Sequence, residues 1–146
     1  MKHVSWKEID TIAEKLVQKI KKGRFAPDYL IGITVGGLVP LALIAKKLDI
    51  RNTVTVSAVS YEGTKQKKLS ITYLPKINLR NKKILLVDDI ADTGNTLKEI
   101  SRILIKRYGV KKVKTAVFVV NKNHCAYKPD FYVIEETRWI VFPWEK

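Results

Sequence analysis

Short apolar runs alternate with longer amphipathic stretches along this chain, and that alternation does most to limit the folds open to it. The runs at residues 29–34, 53–59, 84–87, 115–120 and 131–134 are typical of buried strands. Strands that alternate with helices are typical of a parallel sheet covered on both faces. The pattern therefore predicts an α/β fold with a twisted parallel sheet and helices on both of its faces.

The first amphipathic stretch carries a clear helix-start signal. Ser5 and Glu8 form a capping box, so we expect a helix that runs to about Lys22 and ends at Gly23. Its apolar residues recur at helical spacing: Ile9, Ile12, Ala13, Leu16, Val17 and Ile20.

Two further helices are expected after strands. One opens near Pro40, since proline suits the first turn of a helix, and ends around Leu48. The other has Thr96 and Glu99 as its capping box and is closed by Gly109. Residues 60–73 are polar, lysine-rich and weakly patterned, which predicts a long mobile loop or a ragged hairpin.

The length and composition indicate one globular domain spanning residues 1–146. The chain has 146 residues, of which 46% are hydrophobic and 29% charged. No apolar run approaches the roughly 20 residues of a membrane span. The lone Cys125 excludes an internal disulfide and agrees with a reducing compartment, so a cytoplasmic location is expected.

The charge of the chain is strongly positive. Lys and Arg number 28 against 14 Asp and Glu, a net charge of +14 that attracts anions. Six of the basic residues are Arg, the type that favours bidentate phosphate and base-edge contacts. We interpret lysine clusters such as those at 65–68 and 111–114 as solvated surface, with contact to RNA left open.

Two loops with unusual chemistry follow predicted strands, at residues 34–37 and 88–96. Ligands of open parallel sheets bind beyond the carboxyl ends of the strands, which is where both loops are expected. Asp88, Asp89 and Asp92 place three of the 14 acids within five positions. Because like charges that close repel, such a cluster needs a partner, and Mg²⁺ or a hydroxyl-rich ligand would serve.

The residues after these acids add a cradle for an anion. The segment Asp-Thr-Gly-Asn-Thr at 92–96 offers a flexible turn, hydroxyls and backbone N–H groups at a helix start. Acids for a diol and a metal beside a phosphate cradle together predict a site for a phosphorylated sugar. The alternative is an acidic turn with an ordinary helix cap.

Residues 86–96, Leu-Val-Asp-Asp-Ile-Ala-Asp-Thr-Gly-Asn-Thr, resemble the phosphoribosyl-pyrophosphate motif of the type I phosphoribosyltransferases. Residues 31–40 and 139–145 are similar to the bacterial xanthine-guanine phosphoribosyltransferases, and the similarity runs over essentially the whole chain. The resemblance implies purine salvage, in which 5-phosphoribosyl passes from its pyrophosphate to a purine nitrogen. It also implies a small C-terminal hood and a mobile lid loop over the site.

The resemblance implies roles for the acidic segment. Asp88 and Asp89 would hold the ribose hydroxyls and a Mg²⁺ ion that bridges ribose and pyrophosphate. Asp92 would face N7 of the purine and manage its proton, as a general acid–base group does. The other residues that the resemblance places on the ribose and the 5-phosphate are Ala91, Thr93, Gly94, Asn95 and Thr96.

The loop at residues 34–37 would bind the pyrophosphate. It consists of Thr34, Val35, Gly36 and Gly37, and bare glycines let a backbone approach an anion closely. The family often has a non-proline cis peptide here, which would fall at Val35–Gly36. Bacterial relatives carry Arg where this chain has Val35, so one cationic contact is expected to be lost.

The resemblance places the base between residues from two segments. Lys122 would donate to the purine 6-oxo group, and because lysine only donates, it favours an oxopurine over adenine. Trp139 would stack on the base, although it and Trp144 could otherwise be core or dimer aromatics. The backbone of Ile140 would read the 2-position edge, and Glu145 stands where relatives have Asp. Guanine, xanthine and hypoxanthine remain open as substrates.

The remaining expectations concern the lid and the partners. Ser60 and Tyr61 match the start of the family's lid, which would exclude water from the activated sugar. His124 and Cys125 are interpreted as loop residues without a role. A homodimer or homotetramer is expected. An RNA-binding regulator on the same fold, or a phosphoribosyltransferase for another base, stays as the alternative.

Overall fold

The computed structural model describes residues 1–62 and 67–145, and the side chains at positions 60–62 and 67 lie outside that description. The lysine cluster at 65–68 is therefore largely outside it as well. The described elements, in chain order, are β1 Lys2–His3, α1 Trp6–Lys22, β2 Tyr29–Thr34, α2 Leu38–Leu48, β3 Thr53–Glu62, β4 Lys67–Tyr73, β5 Lys83–Ala91, α3 Asn95–Tyr108, β6 Lys112–Asn121, β7 Ile134–Glu136, β8 Ile140–Val141 and a 3₁₀ turn at Pro143–Glu145.

The central sheet has the strand order β4-β3-β2-β5-β6-β7. All neighbouring strands in it run parallel except β3 and β4, which form an antiparallel hairpin. The predicted α/β class with a mainly parallel sheet is confirmed. Of the two alternatives for residues 60–73, the structure supports the hairpin; residues 63–66 between its strands lie outside the described part.

The buried strand β5 explains why helices cover both faces. Successive strand side chains point to opposite faces, so Leu85 and Val87 pack into one core while Ile84 and Leu86 pack into the other. Helices α1 and α2 contribute to the first core and α3 to the second. A strand with apolar residues on both faces is fully stabilised only when helices cover both faces. Burial of apolar surface contributes roughly 25 cal/mol per Å².

The capping box of α1 forms as predicted. The Ser5 hydroxyl accepts the N–H of Glu8 at 3.1 Å, and the Glu8 carboxylate accepts the N–H of Ser5 at 3.4 Å. Helix α2 begins at Leu38, two residues before the expected start near Pro40. Proline fits there because the first N–H groups of a helix have no partner within the helix.

Two predicted strand boundaries are wrong. Strand β5 continues to Ala91, so Asp88 and Asp89 lie in its last part and do not follow it. Backbone pairing with β6 extends β5 beyond Val87, because Asp88 lies opposite Val117 in the parallel pair. The strand expected at residues 131–134 begins only at Ile134, and Phe131 makes a single isolated bridge.

The capping box expected at Thr96 and Glu99 does not form. Helix α3 begins at Asn95, one residue before Thr96, and its N-cap is Gly94 with φ of 86°. Glu99 instead accepts hydrogen bonds from Arg102 within the same helix face. The start of α3 is thus set by a tight glycine turn and not by a side-chain cap.

A small hood lies apart from the main sheet. Strand β8 pairs in parallel with β1, and the N–H of Lys2 donates to the carbonyl of Trp139 at 2.8 Å. Phe142 stacks on Trp144 with ring centres 4.7 Å apart, and Trp6 packs against Trp144 at 5.9 Å. The hood thereby holds the segment around Trp139 near the carboxyl ends of the central strands. Of the helices in the described part of the chain, none combines the length and the apolar character needed to cross a bilayer.

Candidate active site

Two cavities open at the carboxyl ends of β5 and β6, and they share Ile90, Asp92 and Trp139 in their walls. The first, which we call the base cavity, has a volume of about 450 Å³. Its lining residues are Ile90, Asp92, Asn121, His124, Glu136, Thr137, Arg138, Trp139, Ile140, Phe142 and Glu145. The second, which we call the phosphate cavity, has a volume of about 340 Å³.

The phosphate cavity is built by the end of β5 and the start of α3. Besides the shared residues, its walls are Asp88, Ala91, Thr93, Gly94, Asn95, Thr96 and Leu97. The Thr93 hydroxyl accepts the N–H of Asn95 at 3.2 Å, which tightens the turn ahead of the helix. A helix start carries a partial positive charge and unpartnered N–H groups, so this cavity suits an anion.

The neighbouring carboxylates Asp88 and Asp89 are held by backbone donors. Asp88 Oδ1 accepts the N–H of Asp89 at 2.9 Å, and Asp89 Oδ1 accepts the N–H of Ile90 at 2.7 Å. Burial, together with the nearby charge of Asp89, raises the pKa of Asp88 well above its ordinary value. Burial also raises the pKa of Asp89. Burial therefore disfavours the charged form of both carboxyls, and these are the residues that could hold a cation.

The loop at residues 34–37 lies directly against Asp89. A Cβ added at Gly36 would fall 2.5 Å from Asp89 Oδ2, so only glycine permits this approach. The cis peptide of the loop joins Thr34 and Val35, not Val35 and Gly36 as expected. The Thr34 hydroxyl is bonded to that of Ser57 at 2.7 Å. Val35 is 76% exposed.

Asp92 stands in the wall between the two cavities. Its Oδ1 accepts a hydrogen bond from Asn121 Nδ2 at 2.8 Å and lies 3.5 Å from His124 Nδ1. Asn121 ends β6 and His124 belongs to the turn that follows, so the neighbouring strand brings both to Asp92. A carboxylate at this place is within reach of ligands in either cavity.

The hood supplies the opposite wall of the base cavity. Trp139 is 69% exposed there, and an exposed indole beside a cavity offers a flat stacking surface. Glu136 accepts hydrogen bonds from Arg138 Nε at 2.9 Å and from Nη2 at 3.1 Å. These bonds, together with one from the backbone N–H of Arg138, lower the pKa of Glu136 to about 2. Glu145 accepts the N–H of Phe142 at 3.0 Å, and its charge contributes to the raised pKa of Asp89.

The model of the phosphoribosyl transferase domain family matches residues 5–145. A xanthine-guanine phosphoribosyltransferase of Cereibacter sphaeroides is 34% identical over an alignment of 154 residues. The alignment covers 98% of this chain and 86% of the relative. The chain belongs to the phosphoribosyl transferase family.

Solved structures of phosphoribosyltransferases agree with this assignment. A purine phosphoribosyltransferase from Pyrococcus horikoshii superposes with a TM-score of 0.85 at 31% identity, over 99% of this chain and 93% of the other. The xanthine-guanine-hypoxanthine phosphoribosyltransferase of Helicobacter pylori gives 0.88 at 29% identity, with the same coverage. The type I fold implied by the motif is thereby confirmed for this phosphoribosyltransferase.

Most of the site residues expected from sequence come together around the two cavities. Asp92, Trp139, Ile140 and Glu145 line the base cavity, and the expected 5-phosphate residues line the phosphate cavity. Lys122 is exposed and lines neither cavity; its backbone N–H donates to the carbonyl of Glu136. Its role in reading the 6-oxo group stays a prediction.

The lid residues Ser60 and Tyr61 lie in β3, where they pair with Leu69 and Lys68 of β4. Their side chains and residues 63–66 lie outside the described part of this phosphoribosyltransferase. The expected lid closure stays a prediction as well.

Five polar residues of the base cavity were missed by the sequence reasoning: Asn121, His124, Glu136, Thr137 and Arg138. His124, interpreted from sequence as a loop residue without a role, contacts Asp92. One feature of the sequence could have indicated Asn121: it lies at the carboxyl end of a predicted strand, where ligands of parallel sheets bind. Glu136 and Arg138 carried no such signal, because their segment has no motif of its own.

Proposed function

We propose that this phosphoribosyltransferase transfers the 5-phosphoribosyl group of phosphoribosyl pyrophosphate to a nitrogen of an oxopurine in purine salvage. The bond from C1′ to the pyrophosphate oxygen breaks, the bond from C1′ to the purine nitrogen forms, and pyrophosphate leaves. The observation that carries the proposal is the place of Asp92, in the wall shared by the phosphate cavity at the start of α3 and the base cavity beside the hood. The matched family and the names of the relatives support it.

The sugar phosphate would occupy the phosphate cavity. The N–H groups at the start of α3 and the hydroxyls of Thr93 and Thr96 would bind the 5-phosphate. Asp88 and Asp89 would orient the ribose hydroxyls. The backbone of Gly36 and Gly37 would meet the pyrophosphate, since this loop already touches Asp89.

The carboxylates fit a Mg²⁺ ion whose coordination shell is completed by oxygen atoms of the substrate. Among the described residues no three His, Cys, Asp or Glu side chains converge as a metal site. Mg²⁺ commonly takes one or two carboxylates and fills its other positions with water and substrate phosphates. Asp88 and Asp89 are adjacent carboxylates in the last part of β5, and they are the residues that would hold such an ion. When bound, Mg²⁺ would stabilise the charge that develops on the departing pyrophosphate.

Asp92 would accept the purine's N7 proton as the ring nitrogen attacks C1′. Proton transfer of this kind typically contributes on the order of 10²–10⁴ in rate. Trp139 would stack on the ring, and the backbone of Ile140 would face its 2-position edge, with Glu145 beside it. Lys122 would donate to the 6-oxo group after a movement of its exposed side chain.

The remaining features of the working enzyme are proposed on sequence grounds. The hairpin of β3 and β4, with Ser60 and Tyr61, would supply a lid that excludes water. A homodimer or homotetramer in the cytoplasm is proposed from the family and from the single cysteine.

A parallel assay of four bases tests the proposal. Nucleotide formation is followed from phosphoribosyl pyrophosphate and Mg²⁺ with guanine, xanthine, hypoxanthine or adenine. We expect turnover with at least one oxopurine and none with adenine, and a loss of at least tenfold for Asp92→Asn at unchanged affinity for the sugar pyrophosphate. No turnover with any base, from protein that binds the sugar pyrophosphate, would contradict the proposed reaction.

A further inference from the structure

Two side chains outside the mechanism above meet at the Asp92 carboxylate. Asn121 Nδ2 donates to Asp92 Oδ1 at 2.8 Å. His124 Nδ1 lies 3.2 Å from Asn121 Nδ2 and 3.5 Å from Asp92 Oδ1. The three side chains therefore form one compact polar group in the wall of the base cavity.

The orientation of the Asn121 amide is fixed by the turn behind it. The N–H of Asn123 donates to Asn121 Oδ1 at 3.1 Å, so the amide oxygen is engaged by the backbone. The amide nitrogen must then face Asp92 and His124. It carries two hydrogens, enough for one bond to the Asp92 carboxylate and one to His124 Nδ1.

The loop that carries these side chains is itself tied to the residue after Asp92. The N–H groups of Ala126 and Tyr127 both donate to the carbonyl of Thr93, each at 3.2 Å. Next to it, Gly94 leaves no room for a side chain against the Tyr127 backbone. We call the segment from Asn121 to Tyr127 the clamp loop. It forms hydrogen bonds with both the side chain of Asp92 and the backbone of Thr93.

We propose that Asn121 and His124 are positioning residues that hold the Asp92 carboxylate in the orientation that receives the purine proton. The inference rests on the proposed proton-handling role of Asp92. A base must lie within hydrogen-bond reach of its proton, and geometry decides this before acidity does. A displacement of about 1 Å at a reacting group can cost on the order of 10²-fold in rate.

Single substitutions separate positioning from binding. Asn121→Ala is expected to lower the single-turnover rate of nucleotide formation about tenfold at saturating substrates, with KM for the sugar pyrophosphate unchanged within twofold. Asn123→Ala is the matched control, because it keeps the backbone donor and its side chain makes no hydrogen bond within the described residues. It should behave like the parent enzyme.

Variants at His124 supply a second line of evidence at a surface position. The side chain is 66% exposed, so its removal should leave folding intact. His124→Ala should lower the single-turnover rate about threefold, and His124→Asn should restore most of it, because the amide oxygen of the new side chain can accept the Asn121 Nδ2 hydrogen in place of Nδ1. Equal rates for parent, His124→Ala and His124→Asn would remove His124 from the inference.

A double-mutant cycle distinguishes positioning from general destabilisation. In an Asp92→Asn background the Asn121→Ala change should cost nothing further, because no base remains to be positioned. An undiminished tenfold loss in that background would overturn the inference and indicate a structural role. If Asp92→Asn retains full activity, the proposed role of Asp92 fails. If Asp92→Asn is impaired while Asn121→Ala matches Asn123→Ala, only the positioning inference fails.

Discussion

At the scale of single residues, Glu136 is held between two cations. It accepts two hydrogen bonds from the guanidinium of Arg138 and one from the backbone N–H of Arg138, and Lys2 Nζ lies 3.9 Å from its Oε2. Its pKa is lowered from 4.5 to about 2. A carboxyl whose pKa is depressed by folding stabilises the fold at pH values above its unfolded pKa, and loses that contribution as pH falls through the folded value.

Removing the guanidinium should therefore raise the pKa of Glu136, although the backbone N–H of Arg138 and the charge of Lys2 still lower it. For Arg138→Gln we expect the pKa of Glu136 to rise toward 4.5, measured by a pH titration of side-chain carboxyl signals in NMR spectra. Arg102→Gln is the control, since Arg102 pairs with Glu99 within α3 and its loss should leave Glu136 as it is. A Glu136 signal that titrates identically in both variants would contradict the assignment of cause.

The carboxyl of Asp88 is expected to lower the stability of the free enzyme while it contributes to ligand binding. Asp88→Asn keeps an oxygen that can accept the N–H of Asp89 but removes a charge that is partly buried beside another carboxylate. We expect the free enzyme to become more stable, by roughly 1 kcal/mol, because a charged group no longer has to be desolvated. The stabilisation given by phosphoribosyl pyrophosphate with Mg²⁺, about 2.7 kcal/mol at 100 times Kd, should be lost.

Thermal unfolding with and without the ligand measures both effects. Asp130→Asn serves as the comparison, because Asp130 accepts hydrogen bonds from the N–H and the hydroxyl of Thr115 and is therefore a carboxylate held by donors. That variant should lose stability and keep its response to the ligand. A lower melting temperature for free Asp88→Asn would contradict the account given for the acidic pair.

At the scale of elements, the turn between β5 and α3 depends on Gly94. Its φ of 86° is unfavourable for any residue with a side chain, and an added Cβ would collide with the backbone of Tyr127. Gly109 also has a positive φ, 64°, but a Cβ there would lie 3.7 Å from Arg80 in ordinary contact. Substituting each glycine by alanine therefore separates two costs in stability. At Gly109 only the left-handed conformation is unfavourable, whereas at Gly94 a steric clash is added.

Gly109→Ala should lower the free energy of unfolding by about 1 kcal/mol, the cost of a left-handed conformation with a side chain. Gly94→Ala should lower it by at least about twice as much, since the clamp loop must also move, and should weaken binding of the sugar pyrophosphate. Urea unfolding measures the first effect and isothermal titration the second. Equal losses of stability in the two variants would show that the clamp loop yields without strain.

The elements also show which features can be predicted from sequence. The capping box of α1 and the alternation of strands and helices were predictable because the relevant residues are neighbours in the chain. The end of β5 was not, since its last residues pair with β6 and their local sequence resembles a loop. The contact of His124 with Asp92 joins two loops through tertiary structure, for which local sequence has no signal.

At the scale of the whole molecule, the net charge of +14 predicts weak attraction to any polyanion. Binding to short single-stranded RNA, measured by fluorescence anisotropy, should fall steeply as salt rises and should not depend on the RNA sequence. That outcome would assign the charge to general electrostatics. A marked preference for one RNA sequence at physiological salt would favour a regulatory role on the same fold.

The pairing of β1 with β8 has a consequence for the order in which the site is lost. These strands are far apart in the sequence, each has only two residues, and together they support the Trp139 side of the base cavity. Contacts that close so long a loop are costly in entropy and are expected among the first to open. In mild urea, amide hydrogens of the hood should exchange before those of β5, and affinity for the purine should decline while the sugar pyrophosphate still binds. The enzyme would then pass through a form that holds its donor and has lost its acceptor.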